Sequence, residues 1–168
     1  MQAFTMKGED KAEQAKVDKE ASGEQWPQRI LLAADGSSHS ARAADVLAAM
    51  VPVGATVRVL TVAGLEFVPY RSQWGPLSDE PERQERLKSI VENAFGTPLE
   101  HLRRANCRLE KTTRLGNPAE QIMDETREWR PDLVVVGRSG LGGMAKLLLG
   151  SVSEHLVKHA HVPVLVVP

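Results

Sequence analysis

The chain predicts an α/β fold: a single open parallel five-stranded sheet with helices on both faces. Short apolar runs such as Ile30-Leu31-Leu32-Ala33-Ala34 and Leu133-Val134-Val135-Val136 carry no polar alternation, the pattern of strands buried on both faces. Segments with apolar residues at helical spacing lie between these runs, giving β-α-β-α-β-α-β-α-β. Regular alternation with short connections implies right-handed crossovers and a parallel sheet. At 168 residues and 42% apolar, the chain suits one domain around one core. No internal repeat and no second domain is evident.

Residues 1–25 mix Lys with Asp and Glu and lack a consistent apolar face, so they read as a flexible N-terminal extension to a domain over 26–168. The first strand is Ile30 to Ala34. Asp35-Gly36-Ser37-Ser38 follows as a turn and helix cap. A helix from Ala41 to Met50 repeats apolar positions at Ala43, Leu47 and Met50, and Pro52 and Gly54 end it. Thr56 to Val62 is the second strand. Gly64 to Ser78 is an irregular loop carrying Phe67, Tyr70 and Trp74, suited to cover a ligand or a second subunit.

Asp79 to Arg104 reads as a helix with a kink or break at Gly96-Thr97-Pro98. Cys107 to Thr113 alternates in the manner of a more exposed strand near a sheet edge. Asn117-Pro118-Ala119-Glu120 starts a helix with a capping Asn, Pro at the first position and Glu three residues after the cap. Leu133 to Val136 is the fourth strand, Gly150 to His159 the last helix and Val162 to Val167 the last strand.

Charged residues are 26% of the chain with a net charge of −1, which argues against a dedicated nucleic-acid binder. No apolar run approaches the roughly 20 residues that span a bilayer, and Met1 to Gly23 has no signal-peptide core. The single cysteine, Cys107, excludes an internal disulfide and fits a reducing cytoplasm, with the thiol buried and inert. His155 and His159 are one helical turn apart with His161 nearby, but without supporting ligands they read as surface histidines rather than a zinc site.

The chemistry-bearing stretch is Gly137-Arg138-Ser139-Gly140, followed by Gly150-Ser151-Val152-Ser153. Glycines just past a buried strand let the backbone turn sharply and bring N–H groups near a ligand. Serines at the next helix start add hydroxyls where the helix dipole favours negative charge. These parts describe a phosphate cradle, although a buried glycine also serves close helix–strand packing and Asp35 also serves as a cap. In parallel sheets ligands bind beyond the carboxyl ends of the strands, where the winding reverses, and Asp35 and Gly137 both occupy such ends.

On these residues the chain resembles the universal stress protein family, in its ATP-binding branch. The opening Ile30 to Ser37, the junction Gly116-Asn117-Pro118-Ala119, and the closing Pro163-Val164-Leu165-Val166-Val167 are similar to the family's blocks. Gly137, Gly140, Gly150 and Ser151 meet its signature of Gly, two residues, Gly, nine residues, Gly-Ser/Thr. The resemblance implies an adenine-nucleotide alpha-hydrolase-like fold with strand order 3-2-1-4-5, binding of ATP, usually with a divalent ion such as Mg2+, and a homodimer.

It places the ribose at Asp35, the adenine against backbone near Val62, and the phosphates at Gly137, Gly140, Gly150, Ser151 and Ser153. The full candidate set is Ala33, Ala34, Asp35, Val62, Gly137, Arg138, Gly140, Gly150, Ser151, Val152 and Ser153, with no catalytic residue and no protein metal ligand. Arg138 departs from the small polar residue more usual in the family, and either meets a phosphate or points to solvent.

No Gly-x4-Gly-Lys-Ser/Thr loop and no defensible nucleophile–base pair is present, so an enzymatic role reaches at most to slow ATP hydrolysis. The expectation is an ATP-binding regulatory protein of the stress response, acting through conformation and an unknown protein partner. The alternatives are a dimeric interaction module with incidental nucleotide, or a weak ATPase. In the inferred order Val162 to Val167 forms an apolar edge that can pair with its copy across a two-fold axis.

Overall fold

The computed structural model describes residues 26–64, 81–139 and 149–168. Among these are five strands, β1 (Arg29–Ala33), β2 (Thr56–Ala63), β3 (Arg108–Leu115), β4 (Leu133–Gly137) and β5 (Val164–Val167). They alternate with helices α1 (Ser38–Met50), α2 (Pro81–Leu102), α3 (Pro118–Trp129) and α4 (Ser151–His159). All neighbouring strands are parallel, in the order β3-β2-β1-β4-β5, the expected fold class and order.

The sheet buries both faces. Ile30, Leu32, Val57, Val59, Leu133 and Val135 pack with Ala43, Ala44 and Leu47 of α1 and Phe95, Leu99 and Leu102 of α2. Leu31, Leu60, Val134 and Val136 pack on the opposite face with Ile122, Met123 and Trp129 of α3 and Leu156 of α4. Successive β1 residues therefore enter different cores, and that is why the strand reads as an unbroken apolar run.

Several boundaries differ from expectation. α1 begins at Ser38, a turn before Ala41, because the Ser37 hydroxyl caps the Ser40 N–H at 3.1 Å. The helix expected to kink or break at Gly96-Thr97-Pro98 runs unbroken through Pro98 to Leu102. Proline there removes one backbone donor, while burial of Ala94, Phe95, Leu99 and Leu102 on either side holds the segment helical. β5 begins at Val164, two residues after Val162, since Pro163 has no N–H to give the ladder; its carbonyl accepts from Val134 N–H at 2.9 Å. The N-terminal extension and the Gly64 to Ser78 loop beyond Gly64 lie outside the described residues.

β3 is the exposed edge strand expected, and charge ties it to α3. Glu125 of α3, 2% exposed, accepts from Arg58 Nη1 at 2.7 Å and from Arg114 Nε at 2.6 Å. Arg58 also donates to Glu110 across the β2–β3 pair, at 2.6 and 2.8 Å. Burial pulls the Arg58 pKa down, but hydrogen bonds to Glu125 and Glu110 outweigh it and hold the guanidinium above its ordinary value. The Arg29 and Arg58 guanidinium groups lie 4.7 and 4.3 Å from the Trp129 ring centroid.

Candidate functional site

β1 lies between β2 and β4, so the chain winds one way through β2 and β3 and the other way through β4 and β5. In parallel sheets ligands bind at such a reversal, which here lies at the carboxyl ends of β1 and β4. Leu32 pairs with Val135, which brings the residues after Ala33 level with Gly137. The strands that lead into Asp35 and Gly137 are thus adjacent, the condition under which one crevice holds both.

On the β1 side, Ala33 and Ala34 are buried, and the Ala34 N–H donates to the Leu60 carbonyl at 2.9 Å. The half-exposed Asp35 accepts from Ser37 N–H through Oδ1 at 3.0 Å, and Gly36 turns the chain at φ +81°. Ser40 Oγ donates to the Ser37 carbonyl at 2.9 Å, so the start of α1 is satisfied by its own serines. Half-buried Val62 lies near the carboxyl end of β2, in register with Arg114.

On the β4 side, residues 137–139 and 149–153 close on one another. A β-carbon at Gly137 would meet the His39 carbonyl carbon at 2.7 Å, so close packing of β4 on α1 requires glycine here whatever else the loop does. Arg138, half-buried, donates its N–H to Val167 O at 2.7 Å. Its carbonyl accepts from Gly150 N–H at 2.8 Å and from Ser153 Oγ at 2.7 Å. Ser139 Oγ lies 3.2 Å from Nδ1 and 3.4 Å from Nε2 of His39. A β-carbon on Gly150 would approach Ser139 Cα to 3.1 Å and Arg138 O to 3.2 Å. Gly140 lies outside the described residues.

α4 starts differently from α1 and α3. Ser37 and Asn117 cap those helices with side-chain oxygens, whereas Gly150 caps α4 with no side chain. Glu154 N–H makes the first intrahelical bond, to Gly150 O at 2.9 Å. Among the described residues nothing accepts from the amides of Ser151, Val152 and Ser153. Three N–H groups at the positive end of a helix dipole, with the exposed Ser151 hydroxyl beside them, suit an anion.

Ser153 plays another part than the one expected of it. It is 1% exposed and its hydroxyl donates inward, to Arg138 O at 2.7 Å or Gly150 O at 2.9 Å. Its single proton ties the start of α4 to the loop after β4. The His155 and His159 rings pack 4.5 Å apart, and among the described residues no group of three or more His, Cys, Asp or Glu side chains could hold a metal. Cys107 is half-buried, and burial pushes its thiol pKa up. Sequence reasoning missed His39 and Glu125, since only the tertiary packing brings Ser139 to the first and Arg58 and Arg114 to the second.

The residues present fit an adenine nucleotide: amides and a hydroxyl for phosphate oxygens, and a carboxylate at the crevice mouth for ribose hydroxyls. No helix among the described residues is long and apolar enough to cross a membrane.

Comparison with known proteins bears on the family and the fold. Residues 27–168 match the model of the universal stress protein family. A universal stress protein of Thermus aquaticus, named for its place in the QAH/OAS sulfhydrylase 3' region, is 37% identical over 139 residues, 82% of this chain and 96% of its own. The structure of the hypothetical protein MJ0577 superposes with a TM-score of 0.70 at 23% identity, over 83% of this chain and 94% of that one. A universal stress protein family member from Arabidopsis thaliana, solved with AMP bound, superposes with a TM-score of 0.53 at 21% identity, over 84% and 91% of the two chains. The two superpositions share the fold, and the family match spans the sheet, the crevice and the glycine cradle together: this chain belongs to the universal stress protein family.

Proposed function

We propose that this protein binds an adenine nucleotide, ATP with Mg2+, in the crevice between β1 and β4, and acts as a regulatory protein of the stress response. The observation that carries the reading is the start of α4, where Gly150 supplies no side-chain cap and the amides of Ser151, Val152 and Ser153 have no acceptor among the described residues. Asp35 takes the ribose hydroxyls, backbone near Val62 the adenine, and Gly137, Arg138 and Gly150 shape the phosphate cradle, with Gly140 completing it. Mg2+ travels on the phosphate oxygens of the nucleotide. The AMP held by the Arabidopsis family member supports the ligand class.

Nucleotide then sets conformation and partner choice in a dimer. β5 is an edge strand of half-buried apolar residues, Val164, Leu165 and Val166, that suits pairing with its copy. That same edge supports a second reading, a dimeric interaction module for which nucleotide is incidental.

Calorimetry with ATP and AMP, with and without Mg2+, tests the first reading. Native protein should bind, Ser151→Ala should weaken binding by about fivefold, one hydroxyl hydrogen bond, and Asp35→Ala should weaken it further. Equal affinity in all three proteins, or none in any, would refute it. Dimers that bind nucleotide no better than either variant would favour the interaction module.

A further inference from the structure

We infer that the amino-terminal end of the sheet is a docking surface for a segment of a partner protein that carries carboxylates beside apolar side chains. Because every strand pair is parallel, the turns that enter β1, β2, β3 and β4 all lie at this one end, opposite the candidate nucleotide site. Backbone hydrogen bonds fix these turns edge to edge. Gly54 N–H donates to Asn106 O at 2.9 Å, Thr56 N–H to Gln28 O at 2.7 Å and Asp132 N–H to Arg29 O at 2.7 Å. The Asp132 carboxylate accepts two more, from the Gln28 and Arg29 amides, each at 2.9 Å. A partner therefore meets a surface that is already ordered, and little is lost in arranging it.

Two kinds of side chain gather there. Trp26, Met50 and Val53 are 62%, 48% and 71% exposed, half of the large apolar side chains exposed among the described residues. Met50 ends α1 just before the turn into β2 that bears Val53, and Trp26 precedes β1, the strand paired with β2. Beside them, Arg103 and Arg104 on the turn into β3, and Arg108 at its first residue, are exposed. None of these three has an ion pair among the described residues, whereas Arg58, Arg114 and Arg127 elsewhere are each held by carboxylates. Asp132 is engaged by its two amides, and Asp45 lies 3.1 Å from His101 Nδ1, which leaves exposed Glu100 of α2 against three arginines.

A helix dipole accounts for cations just past the end of α2, but not for Arg108 or for the apolar side chains left in water beside them. Arginine with tryptophan and methionine is the composition of protein-binding surfaces. Guanidinium groups take carboxylates through paired N–H···O bonds, and the apolar trio supplies area that sheds water on contact. A nucleic acid would use the arginines alone, and a chain of net charge −1 lacks the field that gathers a polyanion. A peptide segment both acidic and apolar uses every feature of this surface. The inference goes beyond the nucleotide reading and does not depend on it.

The test is fluorescence anisotropy with a labelled peptide of repeating Asp-Glu-Leu-Phe, on native protein, on Arg103→Glu with Arg104→Glu, and on Trp26→Ser with Val53→Ser. The substituted side chains are exposed, so both variants should fold as native does. Native protein should bind the peptide saturably, and each double variant about tenfold less tightly, for the charge variant the worth of two exposed ion pairs. Added salt should weaken binding to native protein and to the apolar variant, and much less to the charge variant. No binding by native protein, or equal binding by all three proteins, overturns the inference. So does equal binding of a peptide with Lys in place of each acid. An oligothymidylate that binds as tightly as the peptide would assign this end to polyanions and overturns the protein partner. The expected peptide results with no AMP binding in calorimetry would refute the nucleotide reading alone.

Discussion

Gly137 on β4 and His39 on α1 meet backbone to backbone: a β-carbon on the glycine would sit 2.7 Å from the His39 carbonyl carbon and 2.8 Å from its oxygen. The glycine that opens the anion motif is thus also the point where strand and helix pack most closely. Fold and candidate site share this residue.

Gly137→Ala should consequently destabilise the protein whether or not ligand is present. The clash is with backbone, which cannot rotate aside, so the cost is about 2 kcal/mol, or about 4–8 °C in Tm. Thermal unfolding of ligand-free protein measures it. An unchanged Tm would mean that β4 and α1 are not packed as described.

Ser153→Ala removes a buried hydroxyl that donates to Arg138 O or Gly150 O. The loss should be about 1–2 kcal/mol in urea unfolding, with the m-value unchanged. Ser151→Ala at the exposed neighbouring position should leave stability within about 0.5 kcal/mol of native. The opposite ranking would place the Ser153 hydroxyl outside the framework of the cradle.

Thr61 on β2 buries its hydroxyl oxygen with no hydrogen-bond partner among the described residues. Replacing an unsatisfied buried hydroxyl by a methyl of the same shape relieves its desolvation. Thr61→Val should therefore raise stability by about 1 kcal/mol in chemical denaturation. A loss of stability would reveal an acceptor or donor reaching Thr61.

Burial pushes the Cys107 thiol pKa up, which favours the protonated form in the folded protein. The thiolate is the reacting species, so iodoacetamide should modify the native chain more slowly than the urea-unfolded chain at pH 7.5. Because the folded value lies above the unfolded one, this group's contribution to stability is complete below the unfolded thiol's range. It declines as pH rises through the folded value. Equal modification rates in the native and unfolded chains would contradict the burial.

The fold was legible because buried parallel strands write a simple pattern. Residues 30–33 and 133–136 alternate between two cores, so every position is apolar, and Asn117-Pro118 announces α3 unaided. Pro98 does not break the helix, because Phe95, Leu99 and Leu102 hold it through contacts that no short window contains. The crevice was legible as two glycine- and acid-bearing strand ends, yet the direction of Ser153 was not. A serine at a helix start can face out to a ligand or in to a carbonyl, and only the return of Arg138 O toward α4 decides between them. Nothing local marks Glu125, because its two arginines come from different strands.

The central claim is that the amides at the start of α4, which have no acceptor among the described residues, receive the phosphate of an adenine nucleotide. Amide-resolved NMR titration of 15N-labelled protein with AMP and then ATP–Mg2+ tests it most directly. The expected result is saturable shifts centred on the Ser151, Val152 and Ser153 N–H signals, with a second group at Asp35 to Ser37. Saturation with those six signals unmoved, or a response confined to another edge of the sheet, would contradict it.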